Sequence, residues 1–105
     1  MNGDVTIRLG DETVTLKCTL AAAMKIDQDV GGFVAAFRAV SQGNLSAIGD
    51  IIAAGSGMPN EVAREAAFRA GVASLIDPVT EFVGLCASGG RKPEASGKDA
   101  GKGEG

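Results

Sequence analysis

The stretch LKCTLAAAMKID, residues 16–27, changes character in its middle with no loop between its halves. Up to Lys17 apolar residues alternate with polar ones, as a half-buried strand requires, and from Thr19 onward small and long-chain residues follow at helical spacing. The chain therefore turns directly from strand to helix, and Cys18 stands at the switch.

Working back from the switch, residues 4–17 read as a β-hairpin with Gly10-Asp11 as a two-residue turn, the glycine supplying a positive φ. That turn fixes the register. Val5 faces Leu16, Ile7 faces Val14 and Leu9 faces Glu12 on one side, while Thr6 faces Thr15 and Arg8 faces Thr13 on the other. Asp4 falls opposite Lys17, an attractive cross-strand pair that a one-residue slip would lose. A two-stranded hairpin is marginal in water on its own. The first helix, capped by Thr19 and running to about Gln28 with Leu20, Ala23, Met24 and Asp27 on one stripe, is expected to fold back over the hairpin's apolar face.

Beyond Gly31-Gly32, the segment FVAAFRAVSQG predicts a second helix with Phe33, Val34, Phe37 and Val40 on one stripe, ending at Gly43. NLSAIGDIIAAGSG predicts a third, capped by Asn44 or Ser46, in which Gly49 costs about 1 kcal/mol relative to Ala and marks a close approach of another backbone. A fourth helix starts near Pro59, carries Glu61 and Glu65 early and Arg64 and Arg69 later, and closes at Gly71. In SLIDPVTEFVGLCASGG either Ser74 or Asp77 caps a last helix, with Pro78 in its first turn and Val79, Phe82, Val83 and Cys86 on one face. The expected fold class is α+β: an N-terminal two-stranded antiparallel hairpin packed on a small bundle of four to five helices. Residues 1–86 form the single domain, and residues 87–105, nearly devoid of apolar side chains, a disordered tail.

Composition narrows the function. At 105 residues the chain can bury one core, and with only 4% aromatic residues that core must be aliphatic and alanine-rich. Net charge is −3, and over residues 1–86 there are six Lys or Arg against ten Asp or Glu, which opposes nucleic-acid binding because phosphate contacts need clustered cations. There is no histidine, so the commonest general base and metal ligand are missing, together with every Ser/His or Cys/His nucleophile pair. The N-terminal residues lack a secretory pattern and no segment has the length of a membrane span, so the expected location is cytoplasmic.

Candidate sites dissolve one by one into ordinary structure. Cys18 and Cys86 are far apart in sequence, match neither a metal knuckle nor a redox pair, and read as buried free thiols, with a disulfide not expected in a reducing compartment. Lys17 points to the face of the strand opposite Cys18 and so cannot activate it. GSGMPN lacks the lysine and Ser/Thr of a phosphate loop. Asn44-Leu45-Ser46 fits a glycosylation pattern but reads as a helix cap. The carboxylate pairs Glu61 with Glu65 and Asp27 with Asp29 fit solvated helix faces. No cofactor, metal or catalytic residue is expected, and an enzyme is disfavoured.

The order of these elements resembles a known family. A hairpin running straight into a helix over Leu16 through Gly31 is similar to the family pattern LTLGALAELE…LG, and Gly43 through Gly55 is similar to G.LS..D…LL..GL. The family is that of small tail proteins of gene transfer agents and siphophages, grouped with phage tail assembly chaperones and sometimes labelled tail tube proteins. The resemblance implies a cytoplasmic, non-enzymatic helper that binds the long tape-measure protein and recruits tail-tube subunits, with no nucleic acid or membrane partner; self-association stays open. The alternative it leaves is a minor tube or completion subunit retained in the particle. Contacts are expected on helix stripes not consumed by the core and on the free edge of the hairpin, with Phe33, Phe37, Ile48, Ile51, Phe68 and Phe82 as candidate partner-binding residues.

Overall fold

A computed structural model describes residues 4–89. The expected tail over 87–105 lies outside these residues from position 90 onward. β1 (Asp4–Leu9) and β2 (Glu12–Lys17) form an antiparallel hairpin. Its register is the derived one throughout, from Asp4 opposite Lys17 to Leu9 opposite Glu12, and Gly10 turns at φ 68°. Five helices follow: α1 (Leu20–Val30), α2 (Phe33–Ser41), α3 (Leu45–Ser56), α4 (Asn60–Ala70) and α5 (Val72–Ala87). The architecture is α+β.

Local chemistry sets the helix ends. The Thr19 hydroxyl accepts from the Ala22 amide at 3.0 Å, and the Asn44 carboxamide oxygen accepts from the Ala47 amide at 3.0 Å, each satisfying a first-turn donor that has no helical partner. α1 runs two residues past the expected end and stops at Gly31, whose left-handed φ of 97° lets its amide donate back to the Asp27 carbonyl.

α3 is the axis of the molecule. Every residue from Ala47 to Ala53 is buried, and the helix packs against α4, α1, β2, α5 and α2. The apolar face of the hairpin, Val5, Ile7, Leu9 and Leu16, is covered by α3, α5 and α4. This corrects the expectation for α1, which packs chiefly on α3 and α2 instead. The reason lies in its side chains: α1 offers only Ala22 and Ile26 to the interior, too little to cover a sheet face that the long aliphatics of α3 and α5 fill. Ile48, Ile51, Ile52, Leu75, Val79 and Phe82 are completely or almost completely buried, each worth about 1.5–3 kcal/mol of apolar transfer.

α5 also departs from expectation. It begins at Val72, so Pro78 lies in its interior rather than in its first turn. Gly71, at φ 92° and ψ 117°, ends α4 and starts α5 within one residue, a conformation few side chains would tolerate. The Ser74 hydroxyl donates to the Gly71 carbonyl at 2.9 Å and supports the restarted helix. Pro78 has no amide to offer the Ser74 carbonyl, but Ser74 is exposed and water can serve it.

Candidate functional site

The helices carry more large apolar side chains than the interior takes. α1 buries Ala22 and Ile26 but leaves Leu20 78% and Met24 49% exposed; α2 buries Ala36 and Val40 but leaves Val34 73% and Phe37 37% exposed; α4 buries Ala63 and Ala67 but leaves Val62 53% and Phe68 70% exposed. On each of these helices alanine takes at least one inward position, while the longer residues fall on faces that the 3.6-residue period turns away from the core.

The six residues expected to bind partners therefore separate. Ile48, Ile51 and Phe82 are fully buried and belong to the core, so they offer no surface. Phe33 is half-buried against the core, while Phe37 and Phe68 stand exposed. Leu20, Met24, Val34 and Val62 join them, although helical periodicity had suggested core positions for Leu20, Met24 and Val34.

Two of these side chains border the last turn of α5. Leu20 lines a cleft of about 310 Å³ with Cys86 and Gly89, and a methyl group placed on Gly84 would touch the Phe37 ring at 3.9 Å. Met24 lies one turn beyond Leu20 on the same helix face. A second cleft, of about 370 Å³, opens between the hairpin turn at Gly10 to Glu12 and the α4 residues Val62, Glu65 and Arg69. Arg69 and Glu65, one turn apart on its α4 wall, pair with each other at 2.7 Å.

The largest polar assembly ties α1, α3 and α4 together around Asp50, the one buried charged residue among those described. Arg64 donates Nε to Asp50 Oδ1 at 2.9 Å and Nη2 to Oδ2 at 3.0 Å, and Asn60 Nδ2 donates to Oδ1 at 2.8 Å. The Lys25 ammonium donates to Asn60 Oδ1 at 2.8 Å and to Asp29 Oδ2 at 2.9 Å. Hydrogen bonds from Lys25 and then Asn60 hold the Asp29 carboxyl below its ordinary range, and the hydrogen bond to Asp50 raises the Arg64 guanidinium. Both oxygens of Asp50 are taken by protein donors, so the group fastens helices and has little left for a ligand. The sequence carries the signal in outline: an aspartate flanked by Ile48, Ile51 and Ile52 needs a partner if its helix is buried.

The cysteines are the other unexpected juxtaposition. Cys18, half-buried, and Cys86, buried, line the same cleft beside Leu20. Burial first, and then the neighbouring Cys18 thiol, push the Cys86 thiol far above its ordinary range. Among the described residues there is no group of three or more His, Cys, Asp or Glu able to hold a metal ion, and no helix long and apolar enough to cross a membrane.

No known protein family, no curated protein and no solved structure matches this chain.

Proposed function

We propose that this protein is a non-enzymatic assembly chaperone of the phage-tail type, which covers apolar helical segments of a tape-measure protein and brings tail-tube subunits to them. The observation that carries the reading is the set of large side chains left exposed on α1, α2 and α4, led by Leu20, Val34 and Phe68 at 70% exposure or more. Large apolar side chains standing in solvent on three helices give the apolar face of a partner helix somewhere to pack. A net charge of −3 over the chain opposes self-aggregation and keeps a complex dispersed. The resemblance in element order, hairpin directly into helix and then a capped GNLSAIGD helix, supplies the identity of the partner.

The test is co-expression with the tape-measure protein encoded at the same locus. A soluble complex carrying several copies of this chain, sized by chromatography with light scattering, is the expected result. A tape-measure protein that stays insoluble while this chain elutes alone overturns the chaperone role. Quantitative mass spectrometry of purified particles then decides for the retained tube or completion subunit if the chain is present at ring stoichiometry.

A further inference from the structure

Cys18 occupies the two-residue link between β2 and α1, and Cys86 stands in the last turn of α5. The fold brings these distant positions to one cleft, whose other walls are Thr19, Leu20, Ala23 and Gly89. No charged side chain is among those walls. Both cysteines are free thiols, one half-buried and one buried.

We propose that Cys18 and Cys86 are a modification site that closes into a reversible intramolecular disulfide, with a low-molecular-weight disulfide such as oxidised glutathione as the oxidant. The half-buried Cys18 reacts first: its thiolate attacks one sulfur of the oxidised glutathione, a mixed disulfide forms, and one glutathione thiolate leaves and takes up a proton. Cys86 then loses its proton to solvent and attacks the Cys18 sulfur, expelling the second glutathione thiolate. Two protein thiols are oxidised and one disulfide is reduced to two thiols, so electrons and protons balance.

Three features carry the assignment. Both cysteines line one cleft and both sit at the ends of elements, Cys18 outside the strand ladder and Cys86 one residue before α5 ends, where the backbone adjusts toward the Cα spacing of roughly 5.5–6 Å that a disulfide prefers at less cost than inside an element. The cleft wall is largely apolar and without a cation, which favours a neutral disulfide over thiolates. Burial and the neighbouring Cys18 thiol raise the Cys86 thiol, so the reduced form gains no stability from ionisation and the second step is slow near neutrality. The clasp would join the β2–α1 link to the end of α5 and close a loop around nearly the whole domain. Its basis is independent of the tail-assembly reading.

The experiment uses the reduced full chain, incubated with oxidised glutathione at mildly alkaline pH, then alkylated and analysed by intact mass and peptide mapping without reductant. The expected product is a monomer lacking two hydrogens, refractory to alkylation, with the Cys18 and Cys86 peptides linked. Its melting temperature should rise by roughly 10 °C or more, because a cross-link over a long loop restricts the unfolded chain, and dithiothreitol should reverse the change. Cys18→Ser, a substitution at a half-buried site, should show neither the link nor the thermal shift. Persistence of two alkylatable thiols, a stable glutathione adduct on Cys18, disulfide-linked dimers, or an undiminished thermal shift in Cys18→Ser would each overturn the proposal.

Discussion

Gly49 shows how one missing methyl sets the distance between two helices. A Cβ built there would stand 2.5 Å from Arg64 Cγ and 2.7 Å from Arg64 Cα, and the second of these is backbone that cannot swing away. Gly49→Ala gains about 1 kcal/mol of helix propensity. Overpacking against α4 costs about 1–3 kcal/mol, and the shift would also pull Arg64 from its paired geometry on Asp50. The expected net effect is destabilisation by about 1–2 kcal/mol, read as a lower urea midpoint at unchanged slope. Asp29 allows a test by pH. Its folded-state carboxyl is held below the ordinary 3.8 by Lys25 and Asn60, so the unfolded chain binds the proton first as pH falls. The stabilisation is complete above the ordinary carboxylate value and is lost as pH descends through the lower folded one. Asp29→Asn should therefore show a shallower acid limb than the wild type in urea midpoints between about pH 5 and 3. The difference should shrink in high salt, because the pair is part-exposed.

At the scale of elements, Pro78 inside α5 is a test of why that helix begins where it does. A proline in a helix interior removes one amide donor and crowds the preceding turn, at a cost of about 3 kcal/mol in an exposed host. Here the deprived carbonyl belongs to Ser74, an exposed residue, and Gly71 together with the Ser74 hydroxyl anchors the turn before it. Pro78→Ala should raise stability, though only by about 1 kcal/mol, since the unfolded chain also gains freedom. The check is an equilibrium urea titration. The same helix marks what the sequence does and does not disclose. The hairpin was legible to the residue because period-two alternation, a glycine turn and the Asp4–Lys17 pair each demand one register. The caps at Thr19 and Asn44 were legible because their partners lie three residues away. The start of α5 was obscured because proline is commonest in first turns, and a glycine that ends and begins helices in one step leaves no separate cap to read. What covers the hairpin, what neutralises Asp50 and what lies beside Cys18 depend on residues many positions distant, and local periodicity carries no record of them.

Over the whole molecule, apolar side chains divide between the core and the exposed faces of α1, α2 and α4, and mutation can test the two sets separately. Phe82 is fully buried, and its ring meets α3 where Gly55 has no side chain: a Cβ there would lie 2.8 Å from the Phe82 ring tip. Phe82→Ala leaves a cavity at the junction of α3, α5 and β2 and should cost about 3–5 kcal/mol, a large share of the stability of a domain this small. Phe68, 70% exposed on α4, and Leu20, 78% exposed on α1, hold nothing comparable. Phe68→Ser and Leu20→Ser should each leave the melting transition within about 0.5 kcal/mol of wild type. If these faces receive apolar helices, the same substitutions should weaken the complex with the tape-measure protein by roughly tenfold or more, as removal of a central apolar anchor does. The paired measurement is thermal unfolding of each variant alone and titration calorimetry of each with the partner. Unfolding unchanged and binding lost assigns the exposed helix faces to recognition. Binding retained by both surface variants removes those faces from the interaction and returns attention to the hairpin, whose two strands each have an edge with no strand paired to it among the described residues.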